Sequence, residues 1–272
     1  MNALVLQPSV LELRPRVARV YEHLLGGTEA YECDREVARE LRAVAPWVRD
    51  AARINRAHLP FAVRTAVELG VRQVLDLGCG LPHTVGNVHE ITGDLVPASR
   101  VVYVDHDPDT WPQARTQLDD GPPHYATPLQ ADVLAMGRLL DQVAELDQVD
   151  LAEPTAVIAH DVLPWNGDDD AVWAAMAALR ERLPVGSVLS ITHASSGRWH
   201  PSTMPRVVEV YERHGIVFRP RARQEIADLF GTWIHLGPGL TATARWHADH
   251  PWSARHPRLS AAYAGIAIKA RP

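Results

Sequence analysis

The sequence predicts an α/β fold in which a doubly wound, mostly parallel sheet follows a set of N-terminal helices. Short apolar runs typical of buried parallel strands alternate along the chain with segments of helical period. The first apolar run, residues 74–77, enters a glycine turn at 78–80 and continues into a helical segment. A strand, a glycine turn and a helix in this order form the ligand-binding unit of a doubly wound sheet.

The length and composition are those of one large domain. With 272 residues and 46% hydrophobic composition, the chain can build a full core. We expect residues 1–70 to form a helical cap of the same domain whose core is residues 71–272. A net charge of −6 argues against nucleic-acid binding, which needs basic patches. Two cysteines, and no recognisable signal peptide or apolar stretch of membrane-spanning length, predict a cytoplasmic protein without membrane contact.

Periodicity predicts the individual elements. Helical segments precede the sheet at 16–25, 33–44 and 47–69, and the glycine pair at 26–27 is a plausible C-cap for the first. Seven strands are predicted, at 74–77, 101–104, 124–130, 155–159, 187–193, 233–236 and 262–269. Pro128 makes the third an edge candidate. Further helices are predicted at 109–118, 134–143, 171–179, 205–213 and 223–230.

Two polar clusters suggest metal binding at first sight. The three aspartates at 168–170 directly precede a helix, where they cap it and complement its dipole. His247, His250 and His256 lack the spacing of a compact zinc site and are expected at the surface or an interface. We therefore predict no metal.

The glycine turn indicates which kind of ligand it holds. Gly78 and Gly80 lack a Cβ, so the main chain can take positive φ and a ligand can approach closely. A nicotinamide fingerprint would have a third glycine at position 83, where this chain has His83. Asp76, before the turn, can accept hydrogen bonds from a ligand ammonium or from the loop amides. This pattern favours a cationic amino-acid cofactor over a pyrophosphate.

Two further acids follow the next strands. Asp105 ends the run 101–104 and is suited to hydrogen-bond both hydroxyls of a ribose. Asp132 comes after the third strand, where it could meet an adenine amino group. A glycine turn, a ribose acid and an adenine acid in this order describe an S-adenosylmethionine pocket.

These motifs resemble a class I S-adenosylmethionine-dependent methyltransferase, and more narrowly an actinomycete group that long carried only a domain-of-unknown-function label. The resemblance spans nearly the whole chain, and the string of glycine, leucine and proline at 80–82 with the segment 86–90 is its most specific part. Other matching segments are 20–27, 55–57, 76–80, 101–108, 192–194, 238–240, 245–246 and 263–265.

The resemblance implies a Rossmann-like core and S-adenosylmethionine as cofactor. It implies that Tyr21 and Arg56 reach the cofactor from the cap, and a guanidinium is suited to the methionine carboxylate. The cofactor-binding set expected from the residues and the resemblance is Tyr21, Arg56, Asp76, Gly78, Gly80, Asn87, Asp105, His106, Asp132, Val133 and His160. The last strand is expected to insert antiparallel beside the sixth.

The expected activity is methyl transfer to O, N or C of a small-molecule acceptor in secondary metabolism. His160, Asp161 and His193 follow or end two strands whose tips face one chamber, so they are the catalytic candidates. Adjacent strand residues point to opposite faces, which argues against a shared proton path for the first two unless the strand has already ended. Tyr21, Tyr31, Trp165 and Trp199 would suit a flat or apolar substrate.

Two other functions stay open. Pro164 stands after the fourth strand where the related group has a histidine, and residues 28–31 also depart from its pattern. This keeps open a protein that uses S-adenosylmethionine structurally or electrostatically, such as a cyclase, a pericyclase or a regulator. A nicotinamide oxidoreductase is the third hypothesis. The sequence also leaves open whether the protein forms a homodimer.

Overall fold

The protein contains one mixed sheet of eight strands within the residues described by its computed structural model, which are 14–83, 86–108, 126–146, 148–246 and 257–271. The strands are β1 (Gln73–Leu77), β2 (Arg100–Asp105), β3 (Ala126–Gln130), β4 (Ala156–His160), β5 (Val188–Ala194), β6 (Ile234–His235), β7 (Thr241–Ala242) and β8 (Ala262–Ile268). Their order is β3-β2-β1-β4-β5-β8-β6, and β7 pairs with β8 off this path. The first five strands pair in parallel, which confirms the predicted doubly wound fold.

Helices cover the sheet and form the N-terminal part of the chain. They are α1 (Val17–Leu25), α2 (Glu32–Val44), α3 (Val48–Glu68), α4 (Val88–Leu95), α5 (Met136–Ala144), α6 (Asp169–Arg182), α7 (Met204–Arg213) and α8 (Arg223–Asp228). The helix predicted at 109–118 and the three histidines at 247, 250 and 256 lie outside the described residues. None of the described helices is long and apolar enough to cross a membrane.

Alternation along the strands gives the sheet two apolar faces. Leu75 and Leu77 of β1 face a core built with α5 and α6, whereas Val74 faces a second core built with α3 and α4. The same alternation places Val102 with the first core and Val101 with the second. Because side chains of a strand alternate between faces, the continuous apolar runs predicted to be buried strands fill both cores.

A third core holds the helical cap together. It combines buried residues of α1, α2 and the start of α3 with residues of α7, such as Met204 and Val207. The cap therefore draws on a helix far along the chain as well as on the first seventy residues. Gly26 ends α1 in the left-handed conformation predicted for a C-cap, with φ of 105°.

The C-terminal edge of the sheet is antiparallel. β8 lies between β5 and β6 and runs antiparallel to both, as the resemblance implied. The predicted seven strands are all present, and β7 is an eighth. It spans only two residues, too few to show a period in the sequence. β3 lies at the edge of the sheet, as Pro128 predicted.

Candidate active site

A cavity of about 470 Å³ opens beyond the carboxyl ends of the parallel strands. The segments after β1, β2, β3 and β4 all contribute to its wall, and α1 and α3 close it from the cap side. Ligands of doubly wound sheets bind at this end because the connections after the strands diverge there. The sequence predicted the site at the carboxyl ends of the strands, and the cavity lies there.

The glycine turn after β1 needs glycine at two positions. Gly78 and Gly80 have φ of 66° and 64°, a left-handed conformation that costs other residues free energy. A Cβ on Gly78 would also lie 2.3 Å from Cγ2 of Val162, so the turn packs directly on the loop that follows β4. At Gly80 the nearest atom to such a Cβ is 3.8 Å away, in Ala18. The turn thus brings bare backbone to the wall of the cavity.

Asp105 at the end of β2 fixes this turn. Its Oδ2 accepts a hydrogen bond from the backbone N–H of Gly80 at 2.9 Å, and its Oδ1 accepts one from Asp107 at 2.9 Å. Each carboxylate oxygen has a second lone pair, and the side chain lines the cavity. The sequence allowed Asp76 to accept a hydrogen bond from an amide of the glycine turn. In the structure Asp105 accepts this hydrogen bond.

Asp76 and Arg56 are two charged residues in the wall of the cavity. Burial raises the pKa of Asp76 to about 7, against a lowering influence of Arg56, and nearby Asp105 raises it further. Arg56 donates from Nη2 to the carbonyl oxygen of Gly86 at 2.8 Å and lines the cavity, so it is not a plain surface arginine. Six acidic side chains line the described wall against two arginines. An acidic cavity of this kind suits a ligand that carries a sulfonium and an ammonium group, with one arginine available for its carboxylate.

Most other predicted cofactor residues lie in the same wall. Tyr21 reaches it from α1, while His106, Asp132 and Val133 reach it from the segments after β2 and β3. The carboxylate of Asp132 accepts a hydrogen bond from the N–H of Leu134, which caps a short 3-10 helix.

Asn87 does not line this cavity. Its Oδ1 accepts from the N–H of His83 at 3.0 Å, and its Nδ2 donates to the carbonyl of the same residue at 2.7 Å. With Glu90 it also forms the capping box of α4. We therefore assign Asn87 to fixing the loop after the glycine turn, in place of the predicted cofactor contact.

His160 and Asp161 both line the cavity. β4 ends at His160, and Asp161 takes a φ of 55°, so the alternation of strand faces no longer applies. The strand has thus ended before Asp161, and this is the one case in which the sequence allowed His160 and Asp161 to share a proton path. His160 hydrogen-bonds through Nε2 to Oγ of Ser190 at 2.8 Å. Burial raises the pKa of Asp161 to about 7.

His193 is outside the cavity, contrary to the expectation for a catalytic candidate. It is fully buried, and its Nδ1 contacts the carbonyl oxygen of Ala194 at 2.9 Å, so that nitrogen must carry the proton. Its Nε2 faces Nη1 of Arg221 at 3.0 Å and accepts from it. Burial, chiefly, lowers the pKa of His193 to about 3. Because both nitrogens are engaged, His193 has no free nitrogen to accept a proton from a substrate, and its role is structural where a catalytic one was predicted.

A smaller chamber of about 80 Å³ adjoins the large cavity under the cap. Tyr21, Asn55, Asp161 and Trp165 line both spaces. The rest of its wall is largely apolar and aromatic, drawn from α1, α3, α7 and the residues at 260–262. A large cavity with an acidic wall that meets a small, largely apolar chamber beside the carboxylate of Asp161 can hold two different ligands side by side.

Several wall residues carried no prediction. Glu22 lies in the larger cavity, buried, and accepts hydrogen bonds from the N–H of Glu29. A Cβ on Gly27 would lie 1.5 Å from its Oε1, so this glycine is needed for the carboxylate to fit. Asn55 is the second wall residue for which no role was predicted. Glu22 and Asn55 both lie in segments that matched the related group, and this match was their only signal in the sequence.

The aromatic residues expected near a substrate divide into two pairs. Tyr21 and Trp165 line both spaces. Trp199 packs on Tyr263, with ring centroids 4.7 Å apart, and Tyr31 is 45% exposed beneath the guanidinium of Arg19. Neither Trp199 nor Tyr31 lines the two spaces, so we assign them to packing.

A doubly wound sheet with this glycine turn, an acid at the end of β2 and an acidic cavity defines a class I S-adenosylmethionine-dependent methyltransferase. The chain belongs to the S-adenosyl methyltransferase family, whose model matches residues 6–270. The family confirms the predicted cofactor and favours methyl transfer over a structural use of the cofactor or a nicotinamide reaction.

Two solved structures resemble the whole chain. A protein crystallised as a candidate methyltransferase from Thermobifida fusca YX is 32% identical, covers 98% of this chain and 100% of its own, and superposes with a TM-score of 0.87. A DUF574 family protein from Streptomyces avermitilis MA-4680 is 29% identical, covers 94% and 98%, and gives a TM-score of 0.86. No curated protein matches the chain significantly.

Proposed function

We propose that this methyltransferase acts on O, N or C of a small molecule that binds in the smaller chamber, with the cofactor in the larger cavity. The observation that carries the proposal is the shared wall. Asp161 lies at the border of both spaces, together with Tyr21, Asn55 and Trp165. An in-line methyl transfer needs chiefly that two bound molecules meet in a fixed orientation, and two adjoining spaces provide this.

The roles we propose on the cofactor side follow from charge and position. Arg56 binds the carboxylate, Asp76 the ammonium, Asp105 the ribose, and Asp132 with Val133 the adenine. His106 and Tyr21 complete the wall, and His160 is oriented by Ser190. S-adenosylmethionine, when bound, supplies a methyl group activated by the positive sulfur.

Asp161 is the group that we propose to receive a proton from the acceptor. Its pKa of about 7 means that it is ionised, and able to accept a proton, above that pH. A base works best when its pKa lies near the working pH. An acceptor that must lose a proton should therefore be methylated faster as the pH rises through about 7.

Asp161→Asn tests this role with methyl-labelled cofactor and a panel of phenols, arylamines and aromatic acids. For an acceptor found with the wild type, we expect the variant to lose about 100-fold or more in rate, and to lose the rise near pH 7, since an amide accepts no proton. Asp141→Asn is the control, since Asp141 lies on α5 with its side chain 72% exposed. Undiminished turnover by Asp161→Asn across the pH range would rule out the base.

Asp105→Ala tests the cofactor side. The variant loses the acceptor for two backbone amides as well as the proposed ribose contact. We expect cofactor affinity to fall by about 1–3 kcal/mol, measured by calorimetric titration. Unchanged affinity in a correctly folded variant would refute the ribose assignment.

A further inference from the structure

The wall of the smaller chamber is selective in charge. Apolar and aromatic side chains such as Val48, Ala52, Val207 and Phe218 make up most of it. Asp161 is the one carboxylic acid among the described lining residues, and no lysine, arginine or histidine is among them. A negatively charged acceptor would face this carboxylate with no cationic side chain in the chamber wall to offset it, so the side chains of the chamber disfavour anions.

Asn55, which lines the same chamber, has an unused acceptor. The residue is 8% exposed, and its Nδ2 donates to the hydroxyl of Tyr21 at 3.0 Å. The Tyr21 hydroxyl in turn donates to the carbonyl of Ala52 at 3.1 Å. The Oδ1 of Asn55 is buried and has no hydrogen-bond partner among the described residues. Buried amide oxygens are nearly always paired, so this atom calls for a donor from a bound molecule.

A second buried group points the same way. The indole N–H of Trp47 is also buried without a partner among the described residues, and Trp47 lines the same chamber. Two unused polar atoms in an apolar wall are typical of a binding site, where a few polar groups fix the orientation of a ligand. The volume of about 80 Å³ holds several water-sized positions, which suffices for one small ring.

We propose that the smaller chamber binds a neutral, flat, apolar molecule whose aromatic hydroxyl or N–H group donates a hydrogen bond to Oδ1 of Asn55. Asn55 is then the residue that selects the acceptor, and the donor group is held beside Asp161 at the border with the larger cavity. This inference rests on the proposed function in treating the chamber as the acceptor site.

Binding without turnover tests the proposal. The full chain, saturated with S-adenosylhomocysteine, is titrated with phenol, aniline, toluene and benzoate, and binding is followed by ligand-observed NMR. We expect phenol or aniline to bind about tenfold more tightly than toluene, which has the same ring without a donor, and benzoate to bind most weakly. Preference for phenol or for aniline tells which of the two donors the chamber takes.

Asn55→Leu removes the acceptor at nearly constant size. We expect phenol or aniline binding to fall about tenfold, to the level of toluene, with toluene unchanged. Asn166→Leu is the matched control: Asn166 lines the larger cavity and not the smaller chamber, so the preference for a donor should persist. The comparison of phenol with toluene in the wild type decides the proposal even if Asn55→Leu does not fold.

Equal binding of phenol, aniline and toluene would overturn the inference, because it would mean that water satisfies Asn55. Tight binding of benzoate would overturn it as well. If the donor preference is found but no acceptor is ever methylated, the inference stands and the proposed function fails. If the preference for a donor is absent while Asp161→Asn abolishes methylation, the proposed function stands and the inference about Asn55 fails.

Discussion

Gly78→Ala is expected to abolish measurable cofactor binding and to destabilise the fold by about 2–5 kcal/mol. Two costs combine at this position. An alanine at φ of 66° is strained by about 1–2 kcal/mol, and its Cβ would lie 2.3 Å from Cγ2 of Val162. Overpacking of this kind costs about 1–3 kcal/mol and would push the turn into the cavity or the β4 loop away from it.

Gly80→Ala is the matched control for Gly78→Ala. Its φ of 64° imposes the same backbone strain, but its Cβ would meet nothing closer than 3.8 Å. We expect it to lose only the strain, in denaturant unfolding monitored by circular dichroism. If both variants lost the same stability, packing of the turn on Val162 would not be a constraint.

Arg221→Met is expected to destabilise the protein by about 3–5 kcal/mol, because it leaves a set of buried groups without their donor. Arg221 is 0% exposed and binds Asp169 through Nε and Nη2, at 3.0 and 2.8 Å. It also donates to the carbonyls of Leu163 and Asn166 and to Nε2 of His193. This one side chain thus ties the loop after β4 to β5 and α6.

Arg219→Met gives the comparison for Arg221→Met. Arg219 pairs with the same Asp169 at 2.9 Å, but its side chain is 38% exposed. Exposed ion pairs contribute about 1 kcal/mol or less, so we expect a loss of that size in the free energy of unfolding in urea. A loss from Arg219→Met equal to that from Arg221→Met would contradict the buried-anchor assignment.

The sequence was sufficient where the site is built from neighbours in the chain. The strand, the glycine turn and the acid at the end of β2 carry their chemistry in local spacing, and the structure places Gly78, Gly80 and Asp105 together. The parallel sheet likewise followed from apolar runs, since burial on both faces removes alternation from such strands.

The sequence failed where a distant side chain decides the role. His193 lies near the carboxyl end of β5, the end of the sheet where the cavity opens, yet Arg221, 28 positions away, takes its free nitrogen. The only signal for Asn55 was that its segment matched the related group, and its unused oxygen matters because α1, α3, α7 and the loop after β4 enclose one chamber. Such contacts depend on tertiary packing, which periodicity and motif spacing do not encode.

We propose that the cofactor binds in the larger cavity and the acceptor in the smaller chamber, and the most direct test is a crystal structure of the protein with S-adenosylhomocysteine bound. We expect the adenosine moiety beside Asp105 and Asp132, the amino-acid end beside Arg56, and the sulfur facing the border at Asp161. A sulfur turned away from the smaller chamber, or a nucleoside bound outside the larger cavity, would contradict it.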